Sequence, residues 1–145
     1  MGGNAKMNEF CAAMGLCELW HLDAWIEARR GVVEHYRARL GGVKGLKLNA
    51  PQKGVESNYA YFPVVFDGYK YDRNEIFDRL GEQNIVARKY FYPITNSFDC
   101  YKGRAGFDPD ATPIAKYMAE RVLTLPLYPD LAARDVDRIC DIILG

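Results

Sequence analysis

The chain has 145 residues, a length that fits a single domain. Its 19 Lys and Arg residues balance 19 Asp and Glu residues, so it lacks the basic excess typical of nucleic-acid-binding proteins. Hydrophobic residues make up 49% of the chain, which excludes wholesale disorder. No apolar run approaches the roughly 18 residues of a membrane span, and the N-terminus has no secretory apolar region. We therefore expect a cytoplasmic protein that binds neither nucleic acid nor membrane.

The first forty residues predict a helical arm. Asn8 is suited to cap a helix, and the sequence HLD at 21–23 predicts a joint at which Asp23 caps a second helix over residues 24–40. Gly41 and Gly42 end that helix. The arm carries large apolar side chains, and two interpretations stand: it packs on another unit, or it closes the core of this domain. These side chains are Met7, Phe10, Met14, Leu19, Trp20, Leu22 and Trp25.

The rest of the chain predicts short strands and helices in mixed order. Strands are expected at 46–48, 58–66, 85–92 and 122–127, and helices at 73–83, 113–122 and 132–144. Pro63 favours an edge position or a bulge for its strand. Asp72 and Thr112 are the expected helix caps. This order predicts an α+β fold, with a small, mostly antiparallel sheet covered by helices, in a domain over 41–145 that follows the arm at 1–40.

The four cysteines and two histidines form no metal-binding or nucleophilic motif. Cys11, Cys17, Cys100 and Cys140 lack C-x-x-C spacing, and neither histidine forms a zinc pattern with them. We therefore expect buried or half-buried thiols in a reducing compartment.

Two local patterns could hold a ligand. Gly2-Gly3-Asn4, before a helix start, could offer amide donors to an anion, although such a sequence is more often a plain turn. The run RKYFYP at 88–93 places two cations and three aromatic rings at a strand end, where a polar ligand could bind. The same run fits a solvated strand end with core aromatics. No phosphate loop, nucleophile elbow or dinucleotide fingerprint is present.

Several segments taken together resemble a known family. Residues 3–16 (GNAKMNEFCAAMGL) are similar to the G-x-N-x-[RK]-M-[ST]-E stretch and following AA-x-G-L of the DegT/DnrJ/StrS sugar aminotransferases. Residues 58–64 (NYAYFPV) and 88–93 resemble a small-domain strand and an R-x-(x)-x-Y-P segment of that family. Residues 119–129 (AERVLTLPLYP) are similar to its A-E-x-V-L-x-L-P-x-Y-P signature. The resemblance covers essentially the whole chain, in order.

The resemblance implies the C-terminal small domain of a fold-type-I enzyme that uses pyridoxal phosphate. Family members are more than twice as long, and their large domain carries the lysine that binds the cofactor. None of the lysines here, such as Lys44, Lys47, Lys70 and Lys102, matches that position. We therefore expect the chain alone to be inactive, to hold no cofactor covalently, and to need the missing large domain.

The resemblance also assigns candidate site residues. Asn4 matches the asparagine that reaches the cofactor phosphate of the partner subunit in a homodimer. Lys6 occupies an Arg/Lys position near the substrate. Tyr90 and Tyr92 belong to the segment around Phe91, in which many members have a histidine and this chain has none. Both tyrosines could line the nucleotide-sugar substrate or belong to the core.

The function implied is transfer of an amino group from L-glutamate to a nucleotide-linked keto-sugar, for polysaccharide or deoxyamino-sugar biosynthesis. Two alternatives remain open at the level of sequence. One is a pyridoxal-phosphate-dependent sugar dehydratase of the same family, which has histidine in place of the lysine. The other is a stand-alone, non-catalytic binding domain with this fold.

Overall fold

The computed structural model describes residues 6–105 and 107–145. The first element in this part of the chain is a single long helix, α1 (Glu9–Leu40). The Asn8 side chain caps it by accepting a hydrogen bond from the Cys11 N–H at 2.9 Å, as predicted. The predicted joint at 21–23 is wrong, because the helix continues through all 32 residues. Asp23 is exposed, and no proline interrupts the helix, so nothing in the chain forces a break there.

The two halves of α1 have different surroundings. Its second half packs into the core through Val32, Val33, Tyr36 and Leu40, all buried. Residues 9–24 are exposed except for the half-buried Ala12. The first half therefore extends away from the packed part of the described structure.

The sheet has three antiparallel strands, β1 (Leu46–Leu48), β2 (Phe62–Phe66) and β3 (Val122–Leu125), in the order β1-β2-β3. Each pairs with its neighbour in regular register, with Leu48 opposite Val64 and Val64 opposite Leu123. Residues 58–61, predicted as strand, precede β2 without joining the ladder. The small antiparallel sheet covered by helices confirms the predicted α+β class.

Pro63 lies in the central strand and pairs in regular register with β3, so the predicted edge position or bulge is wrong. The surroundings of Pro63 nevertheless explain how the sheet accepts a proline. Its partner Thr124 exchanges both backbone hydrogen bonds with Arg88, so Thr124 directs its N–H and C=O away from β2. The nitrogen of Pro63 consequently faces the β1 side, and β1 has ended at Leu48, opposite Val64. A residue without an N–H costs the sheet no hydrogen bond at this point.

Three further helices cover the sheet: α2 (Arg73–Glu82), α3 (Pro113–Arg121) and α4 (Ala133–Leu144). Asp72 and Glu75 form a capping box at the start of α2, as the sequence indicated for Asp72. Thr112 precedes α3 as predicted, but its hydroxyl accepts from the Asn96 amide at 3.1 Å and does not cap the helix. The buried face of α4 consists of Val136, Ile139, Cys140 and Ile143.

The second half of α1 is joined to α4 by an ionic cluster on the surface. His35 Nε2 lies 2.9 Å from Asp137 Oδ1, and Arg39 binds both Asp137 and Asp141, the latter at 2.5 Å. The hydrogen bonds from His35 and Arg39 hold the pKa of Asp137 below its usual range. This cluster fixes the outer edges of two helices whose inner faces share the core.

The cysteine prediction is wrong for three of the four thiols. Only Cys140 is buried, and burial raises its pKa to about 11. Cys11 and Cys17 are exposed on the projecting half of α1, and Cys100 is exposed in a short 3₁₀ turn, Asp99–Tyr101.

Within the described residues, none of the helices is long and apolar enough to cross a membrane.

Candidate functional site

The segment from Arg88 to Pro93 lies along the free edge of β3. The predicted strand at 85–92 is wrong, because this segment pairs with the sheet at one residue only. Arg88 donates its backbone N–H to Thr124 O at 3.0 Å and accepts from Thr124 N–H at 2.8 Å. Beyond Arg88 the backbone turns on itself, with the Tyr92 N–H donating to Lys89 O at 2.9 Å. The side chains after Arg88 are thus presented from a turn anchored on the sheet.

Tyr90 is the centre of an aromatic and cationic group. The Arg88 guanidinium donates a hydrogen bond to the Tyr90 hydroxyl, and its central carbon lies 5.4 Å from the centroid of the Tyr90 ring. Tyr61, just before β2, meets the Tyr90 ring edge-on at 5.6 Å, and Phe91 stacks on it at 4.8 Å. Within the described residues, Arg88 forms no ion pair with a carboxylate. The group therefore combines stacking surface with a positive charge that a ligand anion could neutralise.

A cleft of about 210 Å³ opens beside Tyr90. The cleft is lined by Tyr61, Val86, Arg88 and Tyr90 together with residues 124–127. Pockets for whole drug-sized ligands usually have about 300–1,000 Å³. This cleft accordingly has the size for one part of a larger ligand, such as a sugar or a phosphate group.

Tyr92 faces a different neighbour. Its ring lies 4.9 Å from the guanidinium carbon of Arg73, at the start of α2, and 54% of the residue is exposed. It lines a second hollow of about 150 Å³, with Lys116 and Glu120 among its walls. The predicted pair Tyr90 and Tyr92 therefore lies on one short turn, and each ring rests against a different arginine.

The other predicted site residues are not brought to this turn. Lys6 is exposed ahead of α1, and it forms no hydrogen bond or ion pair with the described residues. Asn4 lies outside the described residues. No group of three or more His, Cys, Asp and Glu side chains suited to a metal ion occurs in the described part of the chain.

The sequence from residue 1 to residue 144 matches the profile of the DegT/DnrJ/EryC1/StrS aminotransferase family. The chain belongs to this family. The predicted resemblance is confirmed, and so is the fold of the family's pyridoxal-phosphate enzymes.

Characterised relatives and solved structures agree with this membership. The chain is 37% identical to dTDP-4-amino-4,6-dideoxy-D-glucose transaminase of Escherichia coli, covering 99% of this chain and 39% of that protein. It is 28% identical to GDP-perosamine synthase of Vibrio cholerae, over 97% of this chain and 37% of that one. The structure matches DesI, solved with its TDP-sugar product, with a TM-score of 0.86 at 28% identity, over 98% of this chain and 36% of DesI.

A Streptococcus pneumoniae member of the matched structures, solved in a PLP form, has a TM-score of 0.84 at 26% identity. The match covers 94% of this chain and 34% of the Streptococcus pneumoniae chain. The chain thus spans between one third and two fifths of the relatives it matches.

The described residues of this family member do not fit a covalent pyridoxal phosphate site. Such a site needs a lysine amine enclosed within a pocket. Every lysine here is exposed except Lys89, which is half-buried. Lys89 donates to Asn74 Oδ1 at 2.7 Å, and its ammonium lies 4.2 Å from the Phe77 ring. No step of cofactor chemistry is assigned to these residues.

Sequence reasoning missed two residues of the site. Arg73 follows a capping aspartate at the first position of a helix, where a charged residue normally faces solvent, and nothing local indicates that it is buried. Tyr61 was assigned to a strand, and only the antiparallel register of β2 and β3 brings it to Tyr90. The sequence places Arg88 in a cationic run, but only the turn after Arg88 brings its guanidinium to the Tyr90 hydroxyl.

Proposed function

We propose that this chain is the C-terminal part of a pyridoxal-phosphate-dependent sugar aminotransferase, a cytoplasmic homodimer. The enzyme transfers an amino group from L-glutamate to a nucleotide-linked keto-sugar in polysaccharide or deoxyamino-sugar biosynthesis. The observation that carries the proposal is 37% identity over 99% of the chain to a transaminase of a dTDP-linked sugar. Relatives named for GDP-linked and dTDP-linked sugars support the substrate class.

The cleft at Tyr90 supports a sugar-nucleotide substrate on chemical grounds. The Arg88 guanidinium offers charged donors to a phosphate oxygen, and the Tyr90 hydroxyl can exchange a hydrogen bond with a sugar hydroxyl. The exposed faces of Tyr61 and Phe91 provide apolar contact for a sugar or a base. In this proposal these residues bind and orient the substrate, and Tyr92 borders it.

Residues at the start of the chain have roles implied by the family resemblance. We assign to Asn4 a hydrogen bond to the cofactor phosphate of the partner subunit, and to Lys6 a charge close to the substrate. Pyridoxal phosphate, when bound, supplies the electron sink for amino transfer. Its covalent attachment would fall to the missing large domain.

The projecting half of α1 supports a larger assembly. Phe10 and Trp20 are each 85% exposed, and Met7, Met14 and Leu19 are more than half exposed. Apolar surface on this scale marks a contact with another unit. We propose that it packs against the large domain and the dimer partner. The exposed thiols of Cys11, Cys17 and Cys100 support a reducing compartment such as the cytoplasm.

The test begins with the protein that cells make. An antibody raised against this chain should detect a polypeptide well above 16.5 kDa. That polypeptide, captured and supplied with pyridoxal phosphate, L-glutamate and a dTDP-linked keto-sugar, should form an amino sugar. The 145-residue chain alone should give no turnover under the same conditions.

An Arg88→Met variant of the captured enzyme tests the cleft. We expect its KM for the sugar nucleotide to rise about tenfold or more, since a charged hydrogen bond to phosphate is lost. A matched Arg134→Met variant, at an exposed position on α4, should leave KM unchanged. Two results would contradict the proposed reaction. One is that cells make only a 16.5 kDa polypeptide, and the other is a longer enzyme that dehydrates the sugar without transferring nitrogen.

A further inference from the structure

Arg73 is a buried cation without a carboxylate partner among the described residues. Only 4% of the residue is exposed, although it occupies the first position of a helix. Its Nη1 donates to Ala119 O at 3.0 Å and to Val122 O at 3.4 Å, where α3 ends and β3 begins. Within the described residues its Nε has no hydrogen-bond partner. Burying a charge without a carboxylate partner and with an unsatisfied donor costs free energy, so a role for Arg73 other than stability is worth testing.

The bonds of Arg73 fix the plane of its guanidinium. Two carbonyl oxygens hold one nitrogen, and the negative end of the α3 dipole lies on the same side. Burial lowers the pKa of Arg73, while Tyr92, Asp72 and Glu120 act in the opposite direction. An arginine remains charged across the physiological range in such surroundings.

The Tyr92 ring lies against this fixed cation, 4.9 Å from the guanidinium carbon. The ring is half-exposed and belongs to a turn with a single backbone bridge to the sheet, so the cation beneath it is a main determinant of its orientation in this proposal. Filling the space of Arg73 requires only a neutral side chain of similar volume, and the hydrogen bond to Ala119 O requires only a neutral N–H or O–H donor. Neither would orient an aromatic ring at the surface.

We propose that Arg73 is a positioning residue, which holds the Tyr92 ring in place on the substrate-binding turn, two residues from Tyr90, and couples the α3–β3 junction to that turn. The part of this inference that concerns substrate rests on the proposed function. Arg73 itself touches no substrate. It acts through Tyr92, and its effect on binding follows from the order it imposes on that ring.

The position of the ring is measured without any ligand. In the 145-residue chain with ¹³C-labelled tyrosine rings, a Tyr92→Phe variant assigns the Tyr92 signals. We expect Arg73→Met to shift these signals and to increase the ring's fast motion, while the buried Tyr36 stays unchanged. Arg73→Lys keeps the charge without the planar face, so a smaller change is expected. It also provides the test if Arg73→Met does not fold.

Arg79 provides a matched control on the same helix. Arg79 lies in the last turn of α2, whereas Arg73 begins the helix. The guanidinium of Arg79 lies 3.6 Å from the centroid of the Tyr71 ring. Arg79→Lys should alter the Tyr71 signals and leave those of Tyr92 unchanged. A folded Arg73 variant with an unaltered Tyr92 ring would overturn the proposal, as would an equal disturbance of Tyr92 by Arg79→Lys.

Titration of the captured longer enzyme and its variants with dTDP then connects ring order to binding. We expect Arg73→Lys to weaken dTDP binding about three- to tenfold and Arg79→Lys to leave it unchanged. Equal dTDP affinity in the wild type and in Arg73→Lys would overturn the effect on substrate. If the wild-type longer enzyme binds no dTDP, the proposed cleft is contradicted, and the ring signals of the 145-residue chain alone still decide the positioning role.

Discussion

Tyr36 is the residue at which three elements of the core meet. It is fully buried on α1, stacks on Phe62 of β2 at 4.9 Å, and donates its hydroxyl to Pro126 O, just after β3, at 3.1 Å. Burial raises the pKa of Tyr36 far above its usual value. The same side chain thus supplies apolar area and satisfies a backbone carbonyl that follows the sheet.

Removing that hydroxyl should cost a measurable part of the stability. We expect Tyr36→Phe to lower the free energy of unfolding by about 1 kcal/mol, since the stacking stays and only the hydrogen bond is lost. Tyr36→Ala should lower it by about 3–5 kcal/mol through the cavity it creates. Urea unfolding at neutral pH measures both.

Tyr101→Phe, at an exposed position, is the control and should change the stability little. Because the folded pKa of Tyr36 is raised, its contribution is complete below pH about 10 and decreases as pH rises further, where the unfolded phenol ionises. Equal stability of Tyr36→Phe and wild type would refute the role of the hydrogen bond.

At the scale of elements, the pairing of α1 with α4 combines an apolar inner face and an ionic outer edge. Cys140 and Val136 face the core, while Asp137 and Asp141 on the same helix reach His35 and Arg39 across the surface. The heptad-like pattern of α4 predicts its buried face. Only the packing of the two helices determines which charges meet.

The Asp137 cluster should make stability depend on acid. Its folded pKa is lowered, so the contribution is complete above the unfolded pKa of about 3.9 and is lost as pH falls through the folded value. We expect the melting temperature of Asp137→Asn to be lower than that of wild type near neutral pH. The difference should shrink below pH about 3.5.

Asp78→Asn on α2 is the control, since Asp78 is exposed and forms no ion pair with the described residues. Thermal melts followed by circular dichroism at several pH values measure the effect. A difference between Asp137→Asn and wild type that is constant with pH would contradict a contribution from the ionised Asp137 carboxylate.

At the scale of the whole molecule, the domain core and the projecting half of α1 differ in surroundings. The core uses the sheet, α2, α4 and the second half of α1, with Leu40, Leu80 and Leu123 fully buried. The first half of α1 adds large apolar side chains with no described neighbours to bury them. A chain with this division is suited to function as one part of a larger structure.

The exposed apolar arm should make the isolated chain associate with itself. We expect sedimentation to detect species larger than 16.5 kDa, and Trp20→Glu with Phe10→Glu to reduce them, because a charge opposes burial of the helix face. Ile114→Glu is the control, since Ile114 is 79% exposed on α3. A wild-type monomer that binds no hydrophobic dye would count against this prediction.

The fold class, the family and most helix ends follow from the amino-acid sequence, because these depend on local chemistry. Asn8 and Asp72 cap helices through their own side chains, and the apolar period of α4 identifies its buried face. The spacing of residues within a motif is also local, so the family motifs at both ends of the chain were sufficient for the membership that the profile confirms.

The tertiary structure alone decided where the turn after Arg88 meets the sheet and which side chains gather there. A strand pattern at 85–92 could not reveal that only Arg88 finds a partner, because hydrogen-bond pairing depends on a strand distant in sequence. Arg73 appears as an ordinary surface residue until α3 and β3 close over it. Local chemistry determined most helices and their caps, and long-range packing determined the burial and the pairing of charge that form the candidate site.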